Sequence, residues 1–154
     1  MDIEIGLTEI ERARSADALK RLLGETYALY VKTHGYHWNV TGPRFQALHA
    51  EFMTQYSELW AALDEIAERI RALGMFAPGS SAEMLENATI TPDNGVPDAD
   101  AMIANLVRGH EAVARAARDG IDAASEVGDD VTGDLLTQRA TIADKTAWML
   151  RASL

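Results

Sequence analysis

Helical periodicity, broken at only three places, constrains the fold of this chain more than any other feature. Apolar side chains recur every three or four residues over four segments, at about 9–38, 43–73, 98–127 and 130–151. The breaks are Thr41-Gly42-Pro43, the segment 75–97 with three of the four prolines, and Gly128. Thr8 and Glu11 have the spacing of a capping box, and Pro43 suits the first turn of the second helix. The pattern predicts four long helices and no strand.

The lengths of the breaks predict how these helices connect. Short loops join the first helix to the second and the third to the fourth. The middle connection has about twenty residues, which is long for a compact domain, and Ser81–Glu86 within it is expected to form a short helix. Four long helices with one long crossover are the arrangement of the ferritin-like four-helix bundle, so we expect an all-α fold. Residues 1–154 are expected to form a single domain of this kind.

Two features of side-chain placement follow from the same periodicity. The stripe of the fourth helix that is expected to face the core consists of Val131, Leu135, Ile142 and Met149. Trp60 and Trp148 are interpreted as core or interface residues. His34 and His110 are interpreted as polar or buried structural residues, since a lone histidine on a helix seldom binds a ligand.

Composition excludes several classes of protein. A hydrophobic content of 47% excludes disorder, and the absence of cysteine excludes disulfides and thiolate metal sites. No apolar run approaches the ~18 residues that a membrane span needs, and no secretory signal is visible, so the cytoplasm is the expected location. The formal net charge of −10 argues against direct DNA binding and favours the attraction of cations.

The strongest candidates for metal ligands are two histidines and two carboxylates: His37, His49, Asp64 and Glu68. Imidazole and carboxylate together suit a divalent metal such as iron or zinc. His49 and Asp64 share one face of the second helix, but the helical rise separates them by about 22 Å. Metal–ligand bonds are ~2 Å long, so one chain cannot close such a site. Two copies packed antiparallel across a two-fold axis can close it.

The chain contains no Glu-x-x-His motif, with which a ferritin-like bundle builds a di-iron site in its own core. Instead the sequence resembles the Dps family (DNA-binding protein from starved cells). The resemblance is carried by His37-Trp38-Asn39, by His49, Asp64 and Glu68 at their present spacing, and by the stretch 145–149. It implies a hollow homododecamer with an iron-binding ferroxidase centre at each dimer interface. In such a centre His37 and His49 come from one subunit, and Asp64 and Glu68 from its two-fold mate.

The same resemblance implies an activity. Fe(II) is oxidised to Fe(III), preferably by hydrogen peroxide, and the ferric product is stored as a mineral, which protects the cell against oxidative damage. Trp38 is interpreted mainly as a packing residue, although the family keeps an aromatic side chain there that could intercept radicals. Two alternatives stay open: a nucleoid DNA-binding stress protein, which the lack of a Lys/Arg-rich tail disfavours, and a cage with an impaired metal centre.

A second acidic cluster lies at the start of the fourth helix and consists of Asp129, Asp130 and Asp134. Acidic residues at a helix N-terminus stabilise the helix through its macrodipole, so a structural role is one interpretation. The other follows from the resemblance, which implies an acid-lined pore for iron at a three-fold axis. Asp130 and Asp134 match that pore by position.

Met53 departs from the family pattern, in which an acidic iron ligand usually stands one turn after the second histidine. A thioether is a soft and neutral ligand that suits iron less well than a carboxylate. Methionine also packs readily in interfaces, which is the simpler interpretation. We hypothesise a working but weakened centre that holds one iron firmly.

Overall fold

The computed structural model describes residues 2–154, and these form five helices. The helices are α1 (Glu9–Asn39), α2 (Phe45–Ala72), α3 (Ser81–Glu86), α4 (Ala99–Glu126) and α5 (Asp130–Arg151). No strand occurs in the described part of the chain. The predicted all-α bundle, including the short helix within the long crossover, is confirmed. Within residues 2–154 no helix combines the length and the apolar character that crossing a membrane requires.

Local sequence determines where most of the helices begin and end. Thr8 caps α1 through a capping box, in which the Thr8 backbone N–H donates to the Glu11 carboxylate at 2.7 Å. Asp98 caps α4 by accepting from the Ala101 backbone N–H at 2.8 Å. The expectation for Pro43 was wrong, because this residue lies in the turn before α2. Gly42 has a φ of 106° there, and its carbonyl oxygen accepts from the Phe45 N–H at 3.0 Å.

The core lies between the four long helices. α1 packs on α2 and on α4, and α4 packs on α5. Each contributes an apolar stripe, and removing these side chains from water stabilises the bundle. The largest fully buried side chains include Leu19, Leu22, Leu29, Phe52, Ile66, Ile70, Met102, Ile103 and Leu106.

The crossover is fixed to α1 at two neighbouring residues. A Cβ atom at Gly24 would lie 2.6 Å from the Met84 carbonyl oxygen, so only glycine lets α3 approach α1 this closely. Glu25 is buried, and its carboxylate accepts from the backbone N–H groups of Thr89 at 2.8 Å and Ile90 at 3.1 Å. These contacts hold the long connection against the bundle.

The inward face of α5 differs from the predicted one. Val131 and Met149 are exposed, and Leu135 and Ile142 are only partly buried. The buried side chains of α5 lie one position further along the chain and are Thr132, Leu136, Arg139, Ala140, Ala143, Ala147 and Leu150. Small alanine side chains allow α5 to approach α4 closely, so the large apolar residues stay on the outer face. Trp60 and Trp148 are also exposed, by 63% and 61%, which excludes the core for both.

A buried polar cluster joins three of the long helices. Arg139 of α5 is 4% exposed and binds the Glu58 carboxylate of α2 with both terminal nitrogens, at 3.0 Å for Nη2. His110 of α4 is 2% exposed, and its Nε2 atom has no hydrogen-bond partner among residues 2–154. Burial, and then the charge of Arg139, lower the pKa of His110 to about 4. His110 is therefore neutral near pH 7, in agreement with a structural role.

We expect acidification to destabilise the bundle through His110. Its folded pKa of about 4 lies below the ordinary value of 6.5, so between these values the unfolded chain binds more protons. The contribution of neutral His110 to the free energy of unfolding is fully present above pH 6.5. It is lost as the pH falls towards 4, and the loss amounts to about 3 kcal/mol at most. Thermal unfolding across this range measures the effect. His110→Phe should make the unfolding temperature depend less on pH. A variant whose unfolding temperature changes with pH as steeply as that of the wild type would contradict this account.

Candidate metal centre

Two histidines lie against each other where α1 turns back into α2. His37 is in the last turn of α1 and His49 is near the start of α2, with a connection of only five residues, Val40–Arg44, between the helices. Their ring centroids are 3.8 Å apart, and their planes differ by 20°. His37 is buried and His49 is partly buried. The structure therefore brings together the two histidines that the sequence singled out.

These histidines exchange hydrogen bonds in a reciprocal pair. Nδ1 of His37 donates to the carbonyl oxygen of His49 at 2.7 Å, and Nδ1 of His49 donates to the carbonyl oxygen of His37 at 2.8 Å. Since a carbonyl oxygen only accepts, each Nδ1 must carry the proton. In the neutral ring Nε2 then keeps its lone pair, which is the form that binds a metal. Both residues were predicted from the sequence, but their reciprocal hydrogen bonds were not.

The two carboxylates lie elsewhere on the same chain. Asp64 and Glu68 are exposed on the second half of α2, four residues apart on one face. Residues 2–154 contain no group of three or more histidine, aspartate or glutamate side chains placed to hold a metal ion. One chain therefore presents two separate groups of candidate ligands, a histidine pair and a carboxylate pair.

Met53 lies beside the histidine pair, one turn after His49, and is 51% exposed. The nearby Glu51 is engaged elsewhere, because its carboxylate accepts from the Gln55 side-chain amide at 2.9 Å. Around the helix axis Glu51 is also turned by about 160° from His49. The histidine pair thus has no acidic neighbour within one turn on its own face of α2.

Similarity to known proteins identifies the family. Residues 16–154 match the family model described as a ferritin-like domain. The chain is 41% identical over 152 residues to an uncharacterised low temperature-induced protein of Nostoc sp., covering 97% of this chain and 85% of that one. It is 35% identical over 147 residues to DNA protection during starvation protein 1 of Deinococcus radiodurans, covering 95% and 71% of the two chains.

A solved structure gives the same result. The crystal structure of a Dps protein from Vibrio cholerae O1 matches with a TM-score of 0.93 at 33% identity, over 99% of this chain and 96% of that one. That protein is described as a member of a broad superfamily of ferritin-like diiron-carboxylate proteins. The present chain belongs to the Dps family of ferritin-like proteins.

In this Dps-family chain an aromatic array lies beside the histidine pair; we define it as Tyr30, His34, Trp38, Tyr56 and Trp60. The Tyr56 ring centroid is 5.1 Å from that of His37, with the planes 69° apart. His34 stacks on Tyr56 at 3.9 Å and lies 4.1 Å from Trp38. Burial, and then the nearby His37, lower the pKa of His34.

Two members of the array, Tyr30 and Tyr56, were not predicted from the sequence. A helical pattern was present, since Tyr30, His34 and His37 follow one another at spacings of four and three residues on α1. Tyr56 and Trp60 have the same spacing of four on α2. The pattern does not reveal that the two rows face each other, because that depends on how α1 and α2 are rotated.

The acidic cluster at the start of α5 divides into two kinds of residue. Asp129 is 3% exposed, accepts from the Thr132 N–H at 3.1 Å, and pairs with Arg69 of α2 at 2.9 Å. Burial raises the pKa of Asp129, but the hydrogen bonds from Thr132 and the charge of Arg69 outweigh it and hold the pKa below its usual range. Asp129 is thus a capping and ion-pair residue, in agreement with the structural interpretation of this cluster.

Asp130 and Asp134 differ from Asp129, since both are exposed. They lie four residues apart on α5, so their carboxylates share one face of the helix. The pore hypothesis therefore concerns Asp130 and Asp134 only.

Stability measurements should show that Asp129 has a structural role that the neighbouring Asp130 lacks. Asp129→Ala leaves the partly buried Arg69 charge without its acidic partner and removes the cap of α5, so the free energy of unfolding should fall by about 3 kcal/mol. The exposed Asp130→Ala should cost less than about 1 kcal/mol. Denaturant unfolding of both variants tests this difference, and equal losses would exclude the structural role assigned to Asp129.

Proposed function

We propose that this protein is an iron-sequestering ferroxidase cage, which oxidises Fe(II), preferably with hydrogen peroxide, and stores the ferric product as a mineral. The reciprocal pair of His37 and His49 carries this proposal, because both Nδ1 atoms are engaged with the backbone and Nε2 is the ring atom of each that is left to bind a metal. Nitrogen and oxygen donors suit iron. Membership of the Dps family supports the same function, since a structural relative is described as a diiron-carboxylate protein.

The centre is proposed to form between two copies of the chain. His37 and His49 of one subunit would meet Asp64 and Glu68 of its two-fold mate. Along α2 the rise between His49 and Asp64 is about 22 Å, far beyond the reach of any single metal ion. Asp64 and Glu68 repel each other at a spacing of four residues, and a bound cation would offset that repulsion. The proposed assembly is the family's homododecamer, with the mineral in its interior.

The proposed ligands have different roles in the reaction. The histidines would bind Fe(II) through Nε2, since each Nδ1–H is donated to a backbone carbonyl oxygen. The carboxylates supply negative charge, which stabilises the more highly charged Fe(III) as it forms. Peroxide takes two electrons and two protons and leaves as two molecules of water, so two Fe(II) ions consume one peroxide.

Protection of DNA follows from this chemistry without contact between protein and DNA. Removing Fe(II) and peroxide together prevents the hydroxyl radical that they otherwise generate. The name of the Deinococcus relative refers to DNA protection. At a formal charge of −10 per chain, however, counterion release would contribute little to duplex binding. The nucleoid-binding alternative therefore has less support than the cage.

Mixing two inactive variants tests the shared centre. His49→Ala and Asp64→Ala should each abolish most rapid iron oxidation, since each removes a ligand from the same centre. In a heterodimer of the two variants one centre carries both substitutions and the other is intact, so about half of the sites should recover. Ferric absorbance after anaerobic addition of Fe(II) and peroxide reports the rate.

Glu65→Ala is the matched control for this experiment, because Glu65 is an exposed acid next to Asp64 that the proposal leaves out of the centre. It should keep the full rate of oxidation. Verified heterodimers without any recovery would exclude a centre that two subunits share.

Position 53 should control how firmly iron is held. Met53→Glu restores a carboxylate one turn after His49, so Fe(II) should bind more tightly and peroxide should oxidise it faster. Met53→Gln is the control, since it has nearly the same length but no charge. Titration calorimetry and stopped-flow absorbance measure the two effects. If the assembled Met53→Glu protein gains in neither measurement, Met53 is a packing residue and not a lost ligand.

The two exposed acids of α5 are proposed to guide iron into the cage. Asp130→Asn combined with Asp134→Asn should slow iron uptake at low ionic strength, and salt should reduce the difference, because steering depends on local charge and is screened. The matched control is Asp119→Asn with Asp122→Asn, which changes the net charge equally at exposed positions on α4. Equal initial rates in the two double variants would place the route of iron elsewhere.

A further inference from the structure

A cationic cleft lies between α1, the crossover and α4, although the chain as a whole has a formal net charge of −10. Its volume is about 400 Å³, within the range of about 300–1,000 Å³ that small-molecule sites have. Lys32, Arg108 and Arg115 line the cleft, and Asp93 is the only acidic side chain among its lining residues. Three cations and one carboxylate give the lining a net charge of +2 near pH 7, opposite in sign to that of the whole chain.

Lys32 is the most buried cation of the cleft, with a side chain that is 8% exposed. Its ammonium group lies 3.3 Å from Oδ2 of Asp93 and makes no other ion pair within residues 2–154. An ammonium group has three N–H donors, and burying donors without acceptors costs free energy. An anion in the cleft would supply the acceptors that Lys32 lacks.

Hydrogen bonds link the groups of the cleft across α1, the crossover and α4. Nη2 of Arg108 donates to the Asn105 side-chain oxygen, and the Asn105 side-chain amide donates to the Tyr36 hydroxyl at 2.8 Å. The Tyr36 hydroxyl donates in turn to Oδ2 of Asp93, the atom that also faces Lys32. The Asp93 carboxylate thus has two partners, and the cleft is held in shape before any ligand arrives, which lowers the free-energy cost of binding.

Spacing along α4 leaves room between the two arginines of the cleft. Arg108, Ala112 and Arg115 follow one another at intervals of four and three residues, so they lie on one face of the helix. The small Ala112 side chain therefore separates two guanidinium groups. Neither arginine forms an ion pair within residues 2–154, and the exposed Asp119, one turn after Arg115, lies beyond ion-pair distance of it.

We propose that this cleft binds the phosphate group of a small phosphate monoester. Such a group carries a charge of about −1.5 to −2 at pH 7, which matches the +2 of the lining, whereas a carboxylate would neutralise only half of it. Guanidinium groups bind phosphate oxygens with two parallel N–H donors, and lysine adds a point charge. A mainly apolar cavity of about 290 Å³ shares Lys32 and Asp93 with the cleft, which gives the organic group of the ester a place beside the phosphate.

The test is titration calorimetry of the assembled, iron-free protein with phenyl phosphate, inorganic phosphate and phenol, together with phosphorus NMR, at about pH 7.5, where the phosphate group is a dianion. Removing iron prevents ferric phosphate from contributing heat. The wild-type protein should bind phenyl phosphate at one site per chain, inorganic phosphate more weakly, and phenol not at all. Arg115→Gln removes a cation that has no acidic partner, so the affinity for phenyl phosphate should fall by at least about tenfold.

Arg118→Gln is the matched control, because it removes the same charge from the same helix but outside the cleft. Arg118 lies one turn after Arg115 and donates to the Asp144 carboxylate at 2.7 Å and 3.2 Å. This variant should bind phenyl phosphate as the wild type does. Ala112→Leu leaves every charge in place and fills the gap between the arginines, so it should also weaken binding. If Ala112→Leu does not fold, as circular dichroism shows, the comparison of the two arginine variants decides.

Weaker binding by the Arg115→Gln and Ala112→Leu proteins, with the Arg118→Gln protein unchanged, would establish the cleft as the site. Equal affinities of the two arginine variants would overturn it, and so would a wild-type protein that gives neither heat nor a phosphorus shift. Inorganic phosphate that binds as tightly as phenyl phosphate would overturn the monoester as the ligand. None of these measurements involves iron, so their results are independent of the proposed ferroxidase activity.

Discussion

The reciprocal hydrogen bonds between His37 and His49 are the interaction on which the rest of the proposed centre depends. Each imidazole donates to the backbone of the other residue, so the bonds join the end of α1 to the beginning of α2 as well as setting both tautomers. The five-residue connection brings the two helices close enough for this exchange. The same two contacts thus fix the local chain geometry and the ring atoms that are left for the proposed metal.

Because α2 is one continuous helix, the proposed centre cannot form within a single chain. A continuous helix of 28 residues keeps its histidine end and its carboxylate end apart, and no bend can bring His49 to Asp64. The far end of α2 is itself anchored, since Arg69, next to Glu68, pairs with the buried Asp129 at the start of α5. Both groups of ligands therefore occupy rigid positions, which favours a centre assembled by association of subunits over one formed by folding.

Met53 and the aromatic array both lie beside the histidine pair. One turn after His49 the chain has a methionine and no acid, and the Tyr56 ring centroid lies 5.1 Å from that of His37. Negative charge at the proposed centre would therefore come from the carboxylate pair of a second copy of the chain.

The sequence by itself determined which elements form. Periodicity and end-capping residues such as Thr8 act over a few positions, so they predicted the five helices and most of their ends. Spacing along one helix also separated the histidines from the carboxylates. The sequence also predicted that His37 and His49 belong to one site, although it did not predict the hydrogen bonds between them.

Only the tertiary structure decided how the helices are rotated against one another. A shift of one residue turns a helical face by about 100°, and periodicity cannot detect which of two adjacent stripes faces inward. That is why α5 buries small alanines where larger side chains were expected, and why Asp129 meets Arg69, sixty residues away. The contact of Tyr56 with His37 has the same origin. Such contacts join residues distant in sequence, and their geometry follows from the packing of the whole bundle, which no local pattern encodes.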